Sequence, residues 1–399
     1  MQPEELYLCS LLKQELTGNT DHSEESYEQK VQMDQVITKA LEQGVLSLLY
    51  DRMMNKEAVL ENQKNRIRKY SQQIVQQNYH LLFLARFITE KLKKHGIASV
   101  ILKGSAMAAY YPVPELRKSG DLDILVSKNA DLKQICEILS DDGIKKAKDQ
   151  HANHHMQLTT RDGIAVEIHT SLTEDAGILK LDNYQRKHQD EFLHHTIMEN
   201  AMGIVLPALE FSYAAYFILI HMFQDFLRAG FGTKMLCDWV VLWNREVKEE
   251  QKRAFLAMVE ESGIRGFACM VSAVCITYLG LKAESMEFLV DMKQMDAAQI
   301  DTFLTDVMEA GEFGDSSEER MVMVQENGLP GLIAEFRHQV ALTYPKAYRC
   351  VLCRPVLWIM LLIGFIHRNR VLRNVSTSAI LKSAAKRGKQ MKEMNLFEK

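Results

Sequence analysis

No feature of the sequence marks this chain for an oxidising compartment or a bilayer. Its 399 residues hold seven cysteines in no regular pairing, and Met1-Gln2-Pro3-Glu4-Glu5 lacks the apolar core of a secretory leader. A reducing, cytoplasmic setting is expected. The longest apolar run, Val356 to Ile366, falls short of the roughly 20 residues a bilayer requires and is expected as a buried helix. Basic excess is also missing: 48 Lys and Arg stand against 52 Asp and Glu, a net charge of -4, which argues against a long nucleic acid as partner. No internal repeat or low-complexity tract is present.

Hydrophobic content of 47% and charged content of 25% are ordinary for a globular chain. The length exceeds one core, so two or three domains are expected. The pattern divides into a helical region over 1–95, an α/β core over 96–200 and a helical domain over 201–399. Leu6, Leu8, Leu11 and Leu12 form one helical stripe, and Val31, Met33, Val36, Ile37 and Leu41 another. A long helix ends near His95-Gly96, its apolar residues concentrated after His80.

The chemistry concentrates between Ser99 and Ser127. The run Val100-Ile101-Leu102 stops at Lys103-Gly104-Ser105, a short helix follows from Ala106, and Pro112 and Pro114 break it. A loop with Arg117, Lys118 and Gly120 then delivers Asp121-Leu122-Asp123 onto a second apolar run, Ile124-Leu125-Val126. Residues two apart on a strand share a face, so Asp121 and Asp123 project together while Leu122 and Ile124 enter the core. Paired carboxylates repel, and a shared hard cation such as magnesium relieves that repulsion. The Gly104-Ser105 turn ahead of a helix offers backbone N–H groups and a hydroxyl to phosphate. Together these features describe a metal–triphosphate site. Either Arg117 or Lys118 could neutralise the triphosphate from the loop, the arginine being the better bidentate partner, with Lys103 beside the turn as a further candidate.

A second constellation lies downstream. Arg161-Asp162-Gly163 is a hairpin signal between Met156–Thr159 and Ile164–His169. Val166 and Ile168 share the buried face of the second run, which leaves Glu167 and His169 together on the other. Glu167 is the natural third carboxylate. His151, His154 and His155 have near-ligand spacing but no neighbouring cysteine or fourth ligand, so zinc is not expected. Cys350-Val351-Leu352-Cys353 is a lone C-x-x-C and reads as two buried thiols. The stretch from Gly311 to Gly328 reads as a polar loop. The tail from His367 holds nine Lys or Arg against two Glu and reads as a solvated helix.

The Gly104-Ser105 turn followed by Asp121-Leu122-Asp123 resembles the signature of the polymerase β-like nucleotidyltransferase superfamily. The blocks LKGSAMAAYYPVPELRKSGDLDILV (102–126), VEIHTSL (166–172) and GFGTKMLCDW (230–239) resemble a bacterial family known as uncharacterised nucleotidyltransferases. The resemblance implies an α+β fold, a small nucleotidyltransferase core flanked by helical regions. It implies transfer of a nucleoside monophosphate from an NTP to an acceptor hydroxyl or phosphate, with release of pyrophosphate. Asp121, Asp123 and Glu167 would hold two magnesium ions; the superfamily often has Asp where this chain has Glu167. Gly104, Ser105, Lys103 and Arg117 would meet the nucleotide. His221, Lys234 and Asp238 match family positions, although an i,i+4 ion pair explains the last two equally well. The acceptor, whether small molecule, sugar, peptide or tRNA end, is not legible. A silent nucleotide-binding regulator or a helical adaptor for a biosynthetic partner is the alternative, and the intact acids argue against it.

Overall fold

The computed structural model describes residues 1–18, 31–147, 155–312 and 347–367, with scattered positions between 333 and 344 and between 388 and 396. The histidines at 151 and 154, the side chain of His155, the loop expected beyond Glu312 and most of the basic tail lie outside the described residues.

The amino-terminal region is helical as expected. Helix α1 (Pro3–Thr17) begins with proline in its first turn and ends at Gly18, whose φ of 69° is the left-handed turn that terminates a helix. Helix α2 (Met33–Glu42) follows, and then α3 (Glu61–Lys94), 34 residues long. The inner face of α3 carries Ile67, Ser71, Ile74, Asn78, Leu81, Ala85, Ile88 and Leu92, alternately four and three residues apart. The stripe therefore starts well before His80. Its polar members Ser71 and Asn78 hide it from a reading based on apolar residues. Asn78 has a specific use: its Nδ2 donates to the carbonyls of Glu115 (2.7 Å) and Arg117 (2.8 Å), anchoring the loop ahead of the acids.

A mixed seven-stranded sheet follows, which with the helices makes the fold α+β. Its strands are β1 (Ser99–Ile101), β2 (Leu122–Val126), β3 (Lys145–Lys146), β4 (His155–Thr159), β5 (Ala165–His169), β6 (Thr196–Ala201) and β7 (Ile204–Leu209). A one-turn helix, α4 (Ser105–Ala108), lies between β1 and β2, and α5 (Leu132–Ser140) follows β2. The order is β3-β4-β5-β2-β1-β7-β6, with β1/β7 and β2/β5 parallel. The hairpin β4–β5 forms where Arg161-Asp162-Gly163 announces it. Hairpin β6–β7 is not visible in the pattern: it straddles residue 200 and carries strand to Leu209, inside the region expected to be helical from 201. Proline reads as a strand breaker, yet Pro207 is accommodated in β7 opposite Met198.

The sheet separates two cores. Leu122, Ile124, Val126, Val166 and Ile168 pack with Leu81, Ile88 and Leu92 of α3. Val100, Leu102 and Leu125 face the other way, into a larger core shared with α1 and α2. That core also takes in α6 (Phe211–Arg228), α7 (Thr233–Trp243), α8 (Glu249–Glu261), α9 (Arg265–Val274) and α10 (Ala297–Ala310). Phe226 of α6 knits α9 and α10 to the body, its ring 5.6 Å from Phe267 and 5.1 Å from Phe303. Asp123 points to the side of these helices because Leu122 and Ile124 point to α3.

The run from Val356 corrects an expectation. It forms α11 (Arg354–His367), but Val356, Ile359, Met360 and Ile363 are 51–61% exposed and Leu357 is buried. A helix apolar on every side can bury only the side that meets the body. Cys350 and Cys353, expected inside, are both exposed. Among the described residues no helix is long and apolar enough to cross a membrane.

One buried side chain joins three helix ends. Gln43, fully buried just past α2, donates Nε2 to the carbonyl of Met308 (2.8 Å). Its Oε1 accepts from the backbone N–H (2.8 Å) and hydroxyl (3.1 Å) of Thr233. Gln43→Leu keeps the volume and strands these groups, so thermal or urea unfolding is expected to show a loss of about 2–3 kcal/mol. A loss below about 0.5 kcal/mol would mean that the triple junction contributes nothing to stability.

Candidate active site

The site is built on the junction of β1, β2 and β5. Gly104 has φ 65° and ψ -107°, a conformation that disfavours any side chain, and it turns the chain from β1 into α4. Space is not the constraint there, since an added Cβ would meet nothing closer than 3.5 Å. Ser105 follows and is buried. β2 and β5 run parallel with Asp123 beside Glu167 and Leu125 beside His169. Strand parity then places Asp123, Glu167 and His169 on one face, as their alternation predicts.

These three form a compact group: one ligand atom from each lies within 4.8 Å of the others, and the group could hold a metal ion. His169 Nε2 is 2.9 Å from Asp123 Oδ1 and 3.4 Å from Glu167 Oε2. Gln157, paired across from Glu167 on β4, donates to its Oε1 at 3.0 Å. Burial alone would lower the His169 imidazole, but its hydrogen bonds to Asp123 and Glu167 raise it to about 9. Burial alone would raise the Asp123 carboxyl; Lys103 and His169 together hold it well below the usual range. Asp121 sits just ahead of β2 at the border of the cleft, where the charge of Asp123, and then burial, raises its carboxyl.

Lys103 is central. Its Nζ lies 3.4 Å from Asp123 Oδ2 and 2.9 Å from His221 Nε2. Burial would discharge it, and the surrounding acids, Asp123 foremost, reverse that and keep it an ammonium. His221, on α6, is lowered by burial and then by Lys103, so it is neutral and accepts the lysine proton at Nε2. The donor set suits a divalent cation. Asp123 Oδ2 is buried, makes no hydrogen bond and has only the nearby ammonium for compensation. Two carboxylates are hard oxygen donors, and the His169 imidazole, protonated against them here, would join as a nitrogen ligand on giving up its Nε2 proton.

A cleft of about 270 Å³ opens beside this group. Lys103, Gly104 and Asp121 border it on the sheet side, and His221 on α6, Lys234 on α7 and Glu312 close the rest. Gly120 borders this cleft and also a more open cavity of about 340 Å³ lined by Gln73, Gln76, Gln77 and His80 of α3.

Arg117 stands apart from the role expected of it. It is 4% exposed and fully engaged. Nε and Nη2 make a two-pronged pair with Asp238 (2.8 and 2.7 Å), and Nη1 donates to the Gly104 carbonyl (3.2 Å) and the Ser119 hydroxyl (2.8 Å). Tyr111 donates to the same Asp238 at 2.6 Å. Arg117 thus clamps the Gly104 turn and its own loop to α7. The i,i+4 pair between Lys234 and Asp238 does not form; Lys234 pairs with Glu312 at 2.9 Å. Tyr111 and Glu312 have no local sequence signal, because their partners lie on other elements, while Ser119 meets Arg117 of its own loop.

The sequence model of a family described as "Uncharacterised nucleotidyltransferase" matches residues 29–280. No curated protein matches the chain. Among solved structures, similarity extends to the crystal structure of an antigenic nucleotidyltransferase-like protein from Paracoccidioides brasiliensis. It is 15% identical, covers 51% of this chain and 93% of its own, and has a TM-score of 0.30.

The Arg117–Asp238 pair gives a stability test. Asp238→Asn leaves a buried guanidinium without its counter-charge, so a loss of about 3–5 kcal/mol in unfolding free energy is expected. Replacing both partners by Met and Leu should recover much of that loss, because a buried pair is often matched by apolar packing. Equal damage in the single and double variants would remove the clamp from this account.

Proposed function

The chain belongs to this family of uncharacterised nucleotidyltransferases, and from that premise we propose that it moves a nucleoside monophosphate from an NTP to an acceptor, releasing pyrophosphate. The observation that carries the reading is the Asp123–Glu167–His169 group beside a cleft that Gly104, Asp121 and Lys103 border. Asp121, Asp123 and Glu167 are the acids that would hold magnesium. The bound ions would neutralise charge on the transferring and leaving phosphates.

The chain's own residues have separable tasks in this reading. Lys103, kept charged by Asp123, donates to phosphate oxygens, and the Gly104-Ser105 turn receives the same tail. His221 holds Lys103 in place through Nε2. Gln157 holds the Glu167 carboxylate by its Oε1, and Oε2, 3.4 Å from His169 Nε2, is the atom that would take the acceptor's proton. Arg117 and Asp238 position the turn and do not touch the nucleotide. The cavity that Gly120 also borders offers an acceptor the glutamine amides of α3 together with the Asp162 carboxylate. Catalysis of this kind consists of positioning and charge stabilisation. A domain division at 95 and, because β6 and β7 belong to the sheet, after Leu209 in place of 200, with the carboxy-terminal helices closing the cleft, accompanies the proposal.

The direct experiment is pyrophosphate release with each NTP, magnesium and a metabolite pool, followed by a search for the acceptor by its mass shift. Asp123→Asn should abolish magnesium-dependent NTP binding in calorimetry. Glu167→Gln should bind NTP as the wild type does and lose single-turnover transfer by about two to four orders of magnitude. Near wild-type transfer by Glu167→Gln would place the third acid elsewhere.

A further inference from the structure

Two lysines beside the cleft share one carboxylate that comes from a distant part of the chain. Glu312, the second residue beyond α10, accepts from Lys118 at Oε2 and from Lys234 at Oε1 (2.9 Å). Its side chain is 4% exposed, while those of the lysines are 18% and 17% exposed. The carboxylate has a built seat. Its backbone N–H donates to the Glu42 carbonyl at 2.7 Å. A Cβ on Gly44 would lie 2.5 Å from the Glu312 carboxyl carbon, and one on Gly232 would lie 2.8 Å from its Cα. Two glycines are therefore needed for this side chain to lie where it does. Gly232 has an ordinary φ of -93°, so it is room and not backbone freedom that requires glycine there.

We propose that Lys118 and Lys234 form an anion seat for the terminal phosphate of a triphosphate, and that Glu312 is its internal occupant, which the phosphate must displace. The inference rests on the nucleotide reading of the cleft and adds to it a competing anion supplied by the protein.

Charge and position carry the argument. Lys234, Glu312, Gly104 and Asp121 border one cleft, so the seat and the Gly104 turn face a common space. Two ammonium groups and one carboxylate leave a surplus of one positive charge. A terminal phosphate, with three acceptor oxygens and up to two negative charges, satisfies both lysines better than a single carboxylate does. Arg117 is locked two-pronged onto its own carboxylate, whereas Lys118 and Lys234 share a single one, so these two lysines join Lys103 as cations that a phosphate can reach by exchange of a partner. Burial would raise the Glu312 carboxyl, and Lys234 and Lys118 outweigh it, so the occupant is charged and competes as an anion. Polyphosphate without magnesium then meets Glu312 and Asp121 together and is disfavoured. The seat thus selects for the metal-complexed nucleotide.

The test is calorimetric binding of inorganic tripolyphosphate, without magnesium, to the full chain. Glu312→Gln keeps shape and an accepting oxygen while removing the charge, and it should bind tripolyphosphate at least about tenfold tighter than the wild type. Adding Lys234→Gln to it should cancel the gain. A folded Glu312→Gln protein that binds no tighter, or more weakly, overturns the proposal. If that variant does not fold, Gly232→Ala decides: its Cβ unseats Glu312 without altering any charge, and the same gain is expected, with no gain in the folded protein overturning the seat. Magnesium-dependent ATP binding by the wild type, and its loss in Asp123→Asn, is read in parallel. Failure of that arm sinks the nucleotide reading, whereas failure of the tripolyphosphate arm alone sinks only the seat.

Discussion

A carboxylate near the start of a central strand, 2% exposed, is the constraint around which the rest is arranged. Asp123 lies on β2 between Leu122 and Ile124, both fully committed to the core beneath α3. Placing an ion there is unfavourable by several kcal/mol unless it is paired and hydrogen-bonded. Lys103, from the end of β1, and His169, from the parallel neighbour β5, supply that compensation. Each cation is itself secured by a further side chain: Lys103 by His221 of α6, and His169 by Glu167 of its own strand. The sheet order, the parity of two strands and the approach of α6 thus follow one charge-balance requirement. The carboxylates are already neutralised by Lys103 and His169, so a divalent ion in this group would have to take over that balance as the His169 proton leaves.

Around that centre the structure uses ion pairs as struts. Arg117 ties the Gly104 turn to Asp238 on α7, and Glu312 ties Lys118 on the same loop to Lys234 on the same helix. Both pairs cross from the loop ahead of the acids to the helical body, one deeply buried and the other at the cleft wall. Asn78 of α3 holds the loop from the opposite side through two carbonyls. The loop from Glu115 to Ser119, polar and proline-led, is consequently fixed on three sides. The two pairs differ in burial: the arginine is enclosed, whereas the lysines keep some exposure.

The short-range features were legible in the chain because their causes are local. A glycine that must adopt positive φ, acids two apart on an apolar strand, the Arg161-Asp162-Gly163 turn and the alternation of Val166 and Ile168 each act within a few residues. They were enough for the α+β core, for the shared face of Glu167 and His169, and for the family to which residues 29–280 belong. The partners of Arg117, Lys118 and Lys234 were not legible. Asp238 is 121 residues from Arg117 and Glu312 is 194 from Lys118, and pairing at that distance depends on how helices dock and not on any spacing. Hairpin β6–β7 stayed hidden because Pro207 signals the end of a strand, and the early half of the α3 stripe because Ser71 and Asn78 occupy core positions. The exposed face of α11 belongs here too: composition says that a helix is apolar, but which side of it meets the body is settled by the surfaces already filled when it docks.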